Sequence, residues 1–359
     1  MAQYQVKILA DNYSLVAWLG TYTRIKYTVA LNRMTSAQVD LPANDAKIPD
    51  CDLMSRLLIV RNGAVVWGGL LQTESWEVEA TSSGTKESPY ALDAMDHCLY
   101  LLWRTIPRPQ GEDFDTRTGA ADDLAKEYVK YHAGASAAAP RQYSDLTVQA
   151  DATDCAVVTK SWVGEDLLSD LQNLATEQQF YWRMVPSTTG VEFQTAYPLW
   201  GLDRTKGNGV NDELVYTFDR RNVRKMSYKR DLADHYNHAY MAGTGEGQYQ
   251  LVEEVEDAAA VAAWKRREVW ATASNYSTIP ELDDEGERVI QDRKPLETMA
   301  ITPARGGGIS IDNLGDKVTV FERRYGRTFE YSAIVTAIDV EVDRDGVEQM
   351  TPAELVAAT

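Results

Sequence analysis

The chain has 359 residues, more than one hydrophobic core usually serves, so two or three domains are expected. Its hydrophobic fraction of 44 % is that of a globular protein and excludes a disordered one. The formal net charge of −18, from 36 basic and 54 acidic residues, argues against a surface that grips nucleic acid, because neutralising phosphates needs Lys and Arg.

An acidic surface serves plain solubility, and it equally serves as a wall past which a polyanion slides without sticking. No run of about 18 apolar residues occurs, so no membrane span is expected. The opening stretch "MAQYQVKILADNYS" lacks a basic segment followed by an apolar core, so no secretory signal is expected. Cys51, Cys98 and Cys155 are widely spaced and form no CxxC, which predicts buried free thiols rather than a disulfide framework or a zinc site.

In chain order, residues 1 to 105 read mostly as strands. "QYQVKILAD" alternates, with Tyr4, Val6 and Ile8 on one face. "LLIVRNGAVVWGGLL" is two apolar runs around Asn62-Gly63, a strong short hairpin signal. "SPYALDAMDHCLYLLWRTI" fits a strand crossing into a short helix. Pro107 and Pro109 mark a boundary. A helix is expected from Gly119 to His132, with Leu124, Tyr128 and Tyr131 on one side and Asp122 and Asp123 in its first turn, where the helix dipole favours acids. A second helix from about Glu165 to Glu177 carries the stripe Leu167, Leu168, Leu171, Leu174 and Ala175. "QFYWRMVPSTTGVEFQTAY" reads as a hairpin around Ser187 to Gly190. A Gly- and Asn-rich linker follows, then strand-like segments, then a helix at about 256–270 in which Val261, Trp264 and Trp270 face inward.

One unit occurs twice. Asp52-Leu53, "RLLIV", a turn with Gly63, "VVWGGLLQT" and "WEVE" correspond to Asp312, Leu314, "KVTV", a turn with Gly326, "FEYSAIVTA" and "DVEV". Each reads as a three-strand meander. Period-2 alternation is generic to such meanders. The shared order of acid, basic residue, Gly turn, aromatic residue and acidic closing strand supports a repeat. A repeated β domain gives one chain two similar faces, so three chains in a ring present six.

These stretches, with "KYTVALNRMTSAQVDLPAND" before the first and the Leu-Gly-Asp-x-Val-Thr-Val run at 314 to 320 in the second, resemble the tail-hub (baseplate-hub) proteins of tailed bacteriophages and prophages. The N-terminal likeness covers residues 20 to about 105. The middle of the chain matches in element order only. The expected fold is α+β and mainly β. Two similar β-barrel-like domains occupy 1–107 and 206–359, with a smaller α+β domain inserted at 108–205. The resemblance implies a homotrimeric ring at the tail tip, between the six-fold distal tail ring and the fibre or spike. It also implies contact with the tape-measure protein and a lumen through which DNA leaves in transit. The protein would be made in the host cytoplasm and reside in the virion.

Residues that could carry chemistry assemble no expected active site, cofactor site or metal site. Asp231, Asp234, His235 and His238 would gather on a helix at i and i+3, but on a strand they point apart, and their flanks read as strand. "GTGEG", Gly243 to Gly247, opens no helix and has no following GK[ST], so it reads as a turn. Glu253/Glu254, Asp283/Asp284 and Asp343/Asp345 sit in polar stretches, whereas a glycosidase holds two carboxyls across a cleft. Ser residues lack a GxSxG setting, and Cys98 and Cys155 lack a motif histidine; His97 adjoins Cys98, but strand neighbours point apart. Lys265, Arg266 and Arg267 beside Trp264 and Trp270 form the most basic local patch and read as a solvated helix face. Residues 288–313, with Pro295, Pro303 and Gly306 to Gly308, read as a loop or an extended arm. The expected role is therefore a non-enzymatic structural hub. The alternatives are a tail-associated cell-wall hydrolase, or a carbohydrate-binding β protein using Trp67, Trp76 and Trp200.

Overall fold

Apolar–polar alternation becomes strand wherever one face has to be covered, and the first residues already do this: Tyr4, Val6 and Ile8 are buried while Gln5 and Lys7 are half-exposed. The structure, a computed structural model, describes residues 2–81, 84–274, 276–294, 296–304 and 309–357. Among these are 23 strands and five α-helices. The N-terminal segment contains β1 (Tyr4–Leu9), β2 (Leu15–Trp18), β3 (Arg24–Ala30), β4 (Ser36–Leu41), β5 (Arg56–Arg61), β6 (Ala64–Ser75), β7 (Val78–Thr81), β8 (Gly84–Glu87), β9 (Tyr90–Asp96) and α1 (Leu99–Leu102). The middle contains β10 (Asp115–Ala120), α2 (Ala121–His132), β11 (Leu146–Val148), β12 (Val157–Trp162), α3 (Leu167–Gln178), β13 (Tyr181–Pro186), β14 (Val191–Ala196) and β15 (Val215–Tyr216). Then come β16 (Val223–Asp231), β17 (His238–Ala242), β18 (Val252–Glu256), α4 (Ala258–Trp264), β19 (Glu268–Thr272), α5 (Ile279–Asp292) and β20 (Leu296–Pro303). The chain closes with β21 (Lys317–Arg324), β22 (Arg327–Asp343) and β23 (Glu348–Ala357).

The chain divides differently from the expected partition at 107/108 and 205/206. One compact unit comprises Met1–Arg224 with Thr302–Thr359, and a second comprises Lys225–Ile301. In the first unit the two ends of the chain share one sheet, ordered β15-β21-β22-β3-β4-β9-β6-β5-β1-β2, with β23 paired to β22. The seam is β3 against β22, from Ala30 opposite Ala337 to Arg24 opposite Asp343. Composition along the chain does not reveal a pairing between strands this far apart, so the sequence suggested two separate β domains.

The repeat is present in backbone detail. Hairpin β5–β6 turns at Asn62 (φ 50°) and Gly63 (φ 85°), and hairpin β21–β22 turns at Tyr325 (φ 54°) and Gly326 (φ 72°). Two central residues of positive φ make the two-residue turn whose twist matches the strands it joins. Just before each hairpin a second left-handed residue recurs, Met54 (φ 69°) and Gly315 (φ 82°). Met54 N donates to Leu71 O at 2.8 Å and Leu71 N to Ser55 O at 2.9 Å. Correspondingly, Gly315 N donates to Val335 O at 2.7 Å and Val335 N to Asp316 O at 3.0 Å. A register shift follows in both, between Leu71 and Thr73 and between Val335 and Ala337. The expected third strand is absent from each copy. "WEVE" leads into β7, which leaves the sheet to pair with β8, and "DVEV" is the far half of the 17-residue β22.

The inserted α+β part folds as its periodicity predicts. Leu167, Leu168, Leu171, Leu174 and Ala175 of α3 are all buried, and Asp166 caps its N-terminus by accepting from Ser169 N at 2.9 Å. They join Leu124, Tyr128, Phe180, Trp182 and Phe193 in one core. Burial of each such side chain contributes about 1.5–3 kcal/mol before entropy is counted. Tyr131 departs from the predicted stripe: it is exposed, and its ring is covered by the Arg117 guanidinium at 4.2 Å.

In the second unit, β18-β17-β19 form a sheet on which α5 packs, with Ala239, Met241, Ala273, Leu282 and Ile290 at its core. The predicted helix at about 256–270 is shorter. It is α4, capped by Asp257 and ended by Lys265 at φ 64°, after which the chain turns to strand. Trp270 therefore lies on β19 and faces solvent, not inward. Helix α5 was not foreseen, although Thr278 and Glu281 form a capping box, Pro280 sits in the first turn, and Leu282, Gly286 and Ile290 repeat every four residues. Its start falls among Asp283, Asp284 and other acids that read as a polar loop. The first part of the expected arm at 288–313 is the last turn of α5 followed by β20, while Gly306 to Gly308 lie outside the described residues.

Candidate interaction surfaces

The Leu-Gly-Asp run that marks the second hairpin has a physical role. Asp316 is 1 % exposed, and its Oδ1 accepts from Leu202 N at 2.7 Å. Its Oδ2 accepts from Asn313 Nδ2 at 2.8 Å and forms an ion pair with Arg204 Nε at 2.9 Å, whose angle is poor for a hydrogen bond. Gly315 lies against Trp200, so a Cβ there would stand 2.5 Å from the Trp200 Cβ, and a Cβ on Gly201 would stand 2.3 Å from Asp316 Oδ1. Glycines at these two positions let the linker 200–204 lie directly on the hairpin, and the carboxylate ties it down. In the first copy Ser55 stands where Asp316 does, so only the second copy holds the linker.

A second polar lock joins the sheet to the insert. Arg56 and Asp145 form a buried ion pair at 3.1 Å, and Tyr13 and Tyr100 donate to the same Asp145 oxygen at 2.8 and 2.9 Å. Burial and the Asp145 carboxylate push the Tyr13 and Tyr100 hydroxyls well above their ordinary range. Asp145→Ala leaves buried Arg56 with only the exposed Asp11 carboxylate, 3.8 Å away, as counter-ion, so unfolding in urea is expected to lose about 3 kcal/mol, whereas the Tyr13→Phe change costs about 1 kcal/mol.

The solvent side of the sheet across its seam is shaped into a groove. Ser36 and Gln38 of β4, Lys26 and Thr28 of β3, Asp339 and Glu341 of β22, Gln349 and Thr351 of β23 and Asp93 of β9 line a groove of about 400 Å³. The reverse side holds Ile25, Tyr27 and Val29, Ala37 and Val39, and Ile338, Val340 and Val342, all buried. Period-2 alternation on both partners of the seam thus yields one apolar and one hydrophilic face. Thr28 Oγ1 donates to Asp339 at 2.6 Å across it. Three carboxylates face one lysine, and burial together with neighbouring Asp40 raises the Asp93 pKa.

Of the residues weighed for chemistry, none come together as a reactive set. His235 Nδ1 lies 2.9 Å from the Arg293 carbonyl and its ring stands edge-on to Trp264, while His238 begins β17 beside Glu254. Asp231 pairs with Lys229 at 2.6 Å. Among the described residues no group of three or more His, Cys, Asp and Glu is placed to hold a metal ion. Gly243 to Gly247 form the turn from β17 toward β18. Glu253 and Glu254 are successive strand residues, and Asp343 closes the final turn by accepting from Asp345 N and Val347 N, each at 2.9 Å. The three cysteines are free and buried; burial raises the Cys98 thiol far above its ordinary value. Arg266 pairs with Glu268 at 2.7 Å and Arg267 donates to the carbonyls of Leu232 and Ala233, so both guanidinium groups are engaged within the unit. Trp67 is buried and Trp200 packs at Gly315, which removes both from any shared sugar groove with the exposed Trp76. Among the described residues no helix is long and apolar enough to cross a membrane.

Solved structures share this architecture over nearly their whole length. The tail protein from Neisseria meningitidis MC58 is 15 % identical, with 99 % of this chain and 96 % of that one covered and a TM-score of 0.56. The 43 kDa tail protein of prophage MuSo2 from Shewanella oneidensis is 12 % identical, with 97 % and 96 % covered and a TM-score of 0.59. Prophage tail protein gp18 from Listeria monocytogenes EGD-e is 12 % identical, with 98 % and 94 % covered and a TM-score of 0.54. No curated protein matches the chain. The mainly β fold is that of these tail proteins, as the resemblance of the two hairpin units implied. A sequence profile spans residues 5–353, and by it the chain belongs to the siphovirus ReqiPepy6 Gp37-like protein family.

Proposed function

We propose that the protein is a structural hub of a phage tail, working as a homotrimeric ring at the tail tip. In this reading the N-terminal half of the sheet (β1–β6 and β9) and its C-terminal half (β15 and β21–β23) act as two equivalent contacts, so that three subunits present six to the distal tail ring. The fibre or spike and the tape-measure protein bind the remaining faces. The hydrophilic face across the β3–β22 seam lines the channel, where a surplus of carboxylates lets DNA pass without adhering. The subunits are made in the host cytoplasm and act in the virion, in genome ejection after host attachment. No catalytic step is assigned to the chain.

The observation that carries the reading is the repeated hairpin with its left-handed residue, paired backbone bonds and register shift, set on both sides of one seam. A ring can meet a ring of twice its symmetry only if each subunit offers its contact twice. The test is mass by light scattering, then negative-stain imaging, of the protein alone and mixed with the distal tail protein of the same phage. The expected result is a species of about three 40.1 kDa chains with a central hole, alone or on mixing. A monomer that stays monomeric and unbound in both samples overturns the proposal.

A further inference from the structure

Within the Lys225–Ile301 unit, strand alternation forces a choice of face. Val269 and Ala271 of β19 pack toward α5 together with Met241 and Val255, and Gly286 lets the helix approach so closely that a Cβ there would stand 2.4 Å from Val255 Cγ2. Trp270, between Val269 and Ala271, must therefore point the other way, and it is 59 % exposed. Tyr240 lies directly opposite it on β17, with ring centroids 6.2 Å apart and planes inclined by 24°. Polar groups are fixed around the rings. Arg266 donates to Tyr240 Oη at 2.8 Å and pairs with Glu268 at 2.7 Å and Glu254 at 3.7 Å, and buried His238 approaches Glu254 at 3.4 Å.

We propose that this open sheet face binds glycans, with a neutral hexose or N-acetylhexosamine ring stacked on Trp270 and Tyr240 and its hydroxyls bonded to Glu254, Glu268 and Arg266. Two features favour a sugar over a protein partner. The two aromatic side chains bury about 150–250 Å² each at most, which falls short of the roughly 800 Å² per partner of a stable protein interface. The surrounding charges are already paired with one another, so they present oriented donors and acceptors at short range, as small-ligand sites do. Glu254 and Glu268 outnumber Arg266, which disfavours anionic glycans by like-charge repulsion. The site uses neither Trp67 nor Trp200, and it lies outside the sheet to which the hub reading assigns its contacts.

The experiment is calorimetric titration and saturation-transfer NMR on the full-length protein with two probes, a hexamer of N-acetylglucosamine and a hexamer of glucose. The expected result is binding of at least one hexamer, weakened at least about tenfold by Trp270→Ala, largely retained by Trp270→Phe, and unchanged by Trp76→Ala. Trp270 is solvent-facing, so the alanine variant keeps the wild-type melting temperature, and that is measured alongside. Neither hexamer binding below about 10 mM, or Trp270→Ala binding as wild type does, overturns the proposal. A protein that forms no ring would still bind the hexamers, so the two proposals fail separately.

Discussion

Asp316→Ala is expected to be the most damaging single substitution away from the apolar core. Removal of this carboxylate leaves the Leu202 amide, the Asn313 side chain and the Arg204 guanidinium without their common partner in a site almost closed to water. The Arg204 side chain is 28 % exposed, so losing its counter-ion costs less than the loss of about 3–5 kcal/mol for a fully buried pair, and each of the two orphaned neutral donors adds about 1–3 kcal/mol. Urea unfolding of the purified variant should show the unfolding free energy lower by about 2–6 kcal/mol, with a lower midpoint and an unchanged slope if the linker alone is loosened. Gly201→Ala tests the same junction from the other side, because its Cβ would meet the Asp316 carboxylate. If Asp316→Ala unfolds within about 1 kcal/mol of wild type, the clamp is not what holds the linker.

His97 should withdraw stability as the medium is acidified from about pH 6.5 to about pH 4. This residue follows β9, is 1 % exposed, and its ring stands edge-on to Tyr100 with the Gly68 backbone as its polar neighbour. Burial, reinforced by the nearby Arg56 charge, pushes its pKa down to about 4 from 6.5. The folded state thus resists the proton that the unfolded chain accepts at pH 6.5. Above that pH the two states are equally neutral and nothing is lost. Between 6.5 and 4 the unfolded state gains protons first and stability drops, and below 4 both states are protonated and the loss levels off. The difference between the two states corresponds to about 3 kcal/mol at its fullest. Asp170 works in the opposite sense. Burial and the neighbouring Glu165 and Asp166 raise its pKa to about 6, so its cost to stability appears as pH rises from 3.8 toward 6 and is relieved on acidification. The decisive comparison is therefore between wild type and His97→Leu. The variant should lose less stability than wild type between pH 7 and pH 4.5, and parallel curves would show that His97 is not the titrating group.

How far the sequence could be read depended on the range of the interaction. Asn62-Gly63 announced its hairpin because two left-handed residues are a local requirement, and the α3 stripe announced its helix because five apolar side chains at helical spacing need one common face. The clamp was half visible: the Leu-Gly-Asp run stood out as a likeness, but nothing nearby said that Gly315 yields to Trp200 or that Asp316 holds residues more than a hundred positions earlier. Helix α5 was hidden by its own acids, although the capping box at Thr278 and Glu281 was there to be found. Trp270 was assigned inward because α4 was extended across Lys265, and a change of period from helix to strand reverses the side to which a residue points.

By itself, then, the sequence determined the local units: which segments alternate, where the two-residue turns fall, which helices carry apolar stripes, and that one hairpin occurs twice. These follow from side-chain period and backbone sterics, which act over a few residues. Only the tertiary structure decided that the two hairpins belong to one sheet, that residues 225–301 stand as their own unit, and which faces stay open. Pairing of β3 with β22 and burial of Asp316 depend on contacts between residues far apart in the chain, and in sequence many strands of the same alternation would pair equally well. The choice among them rests on the joint burial of all their apolar faces.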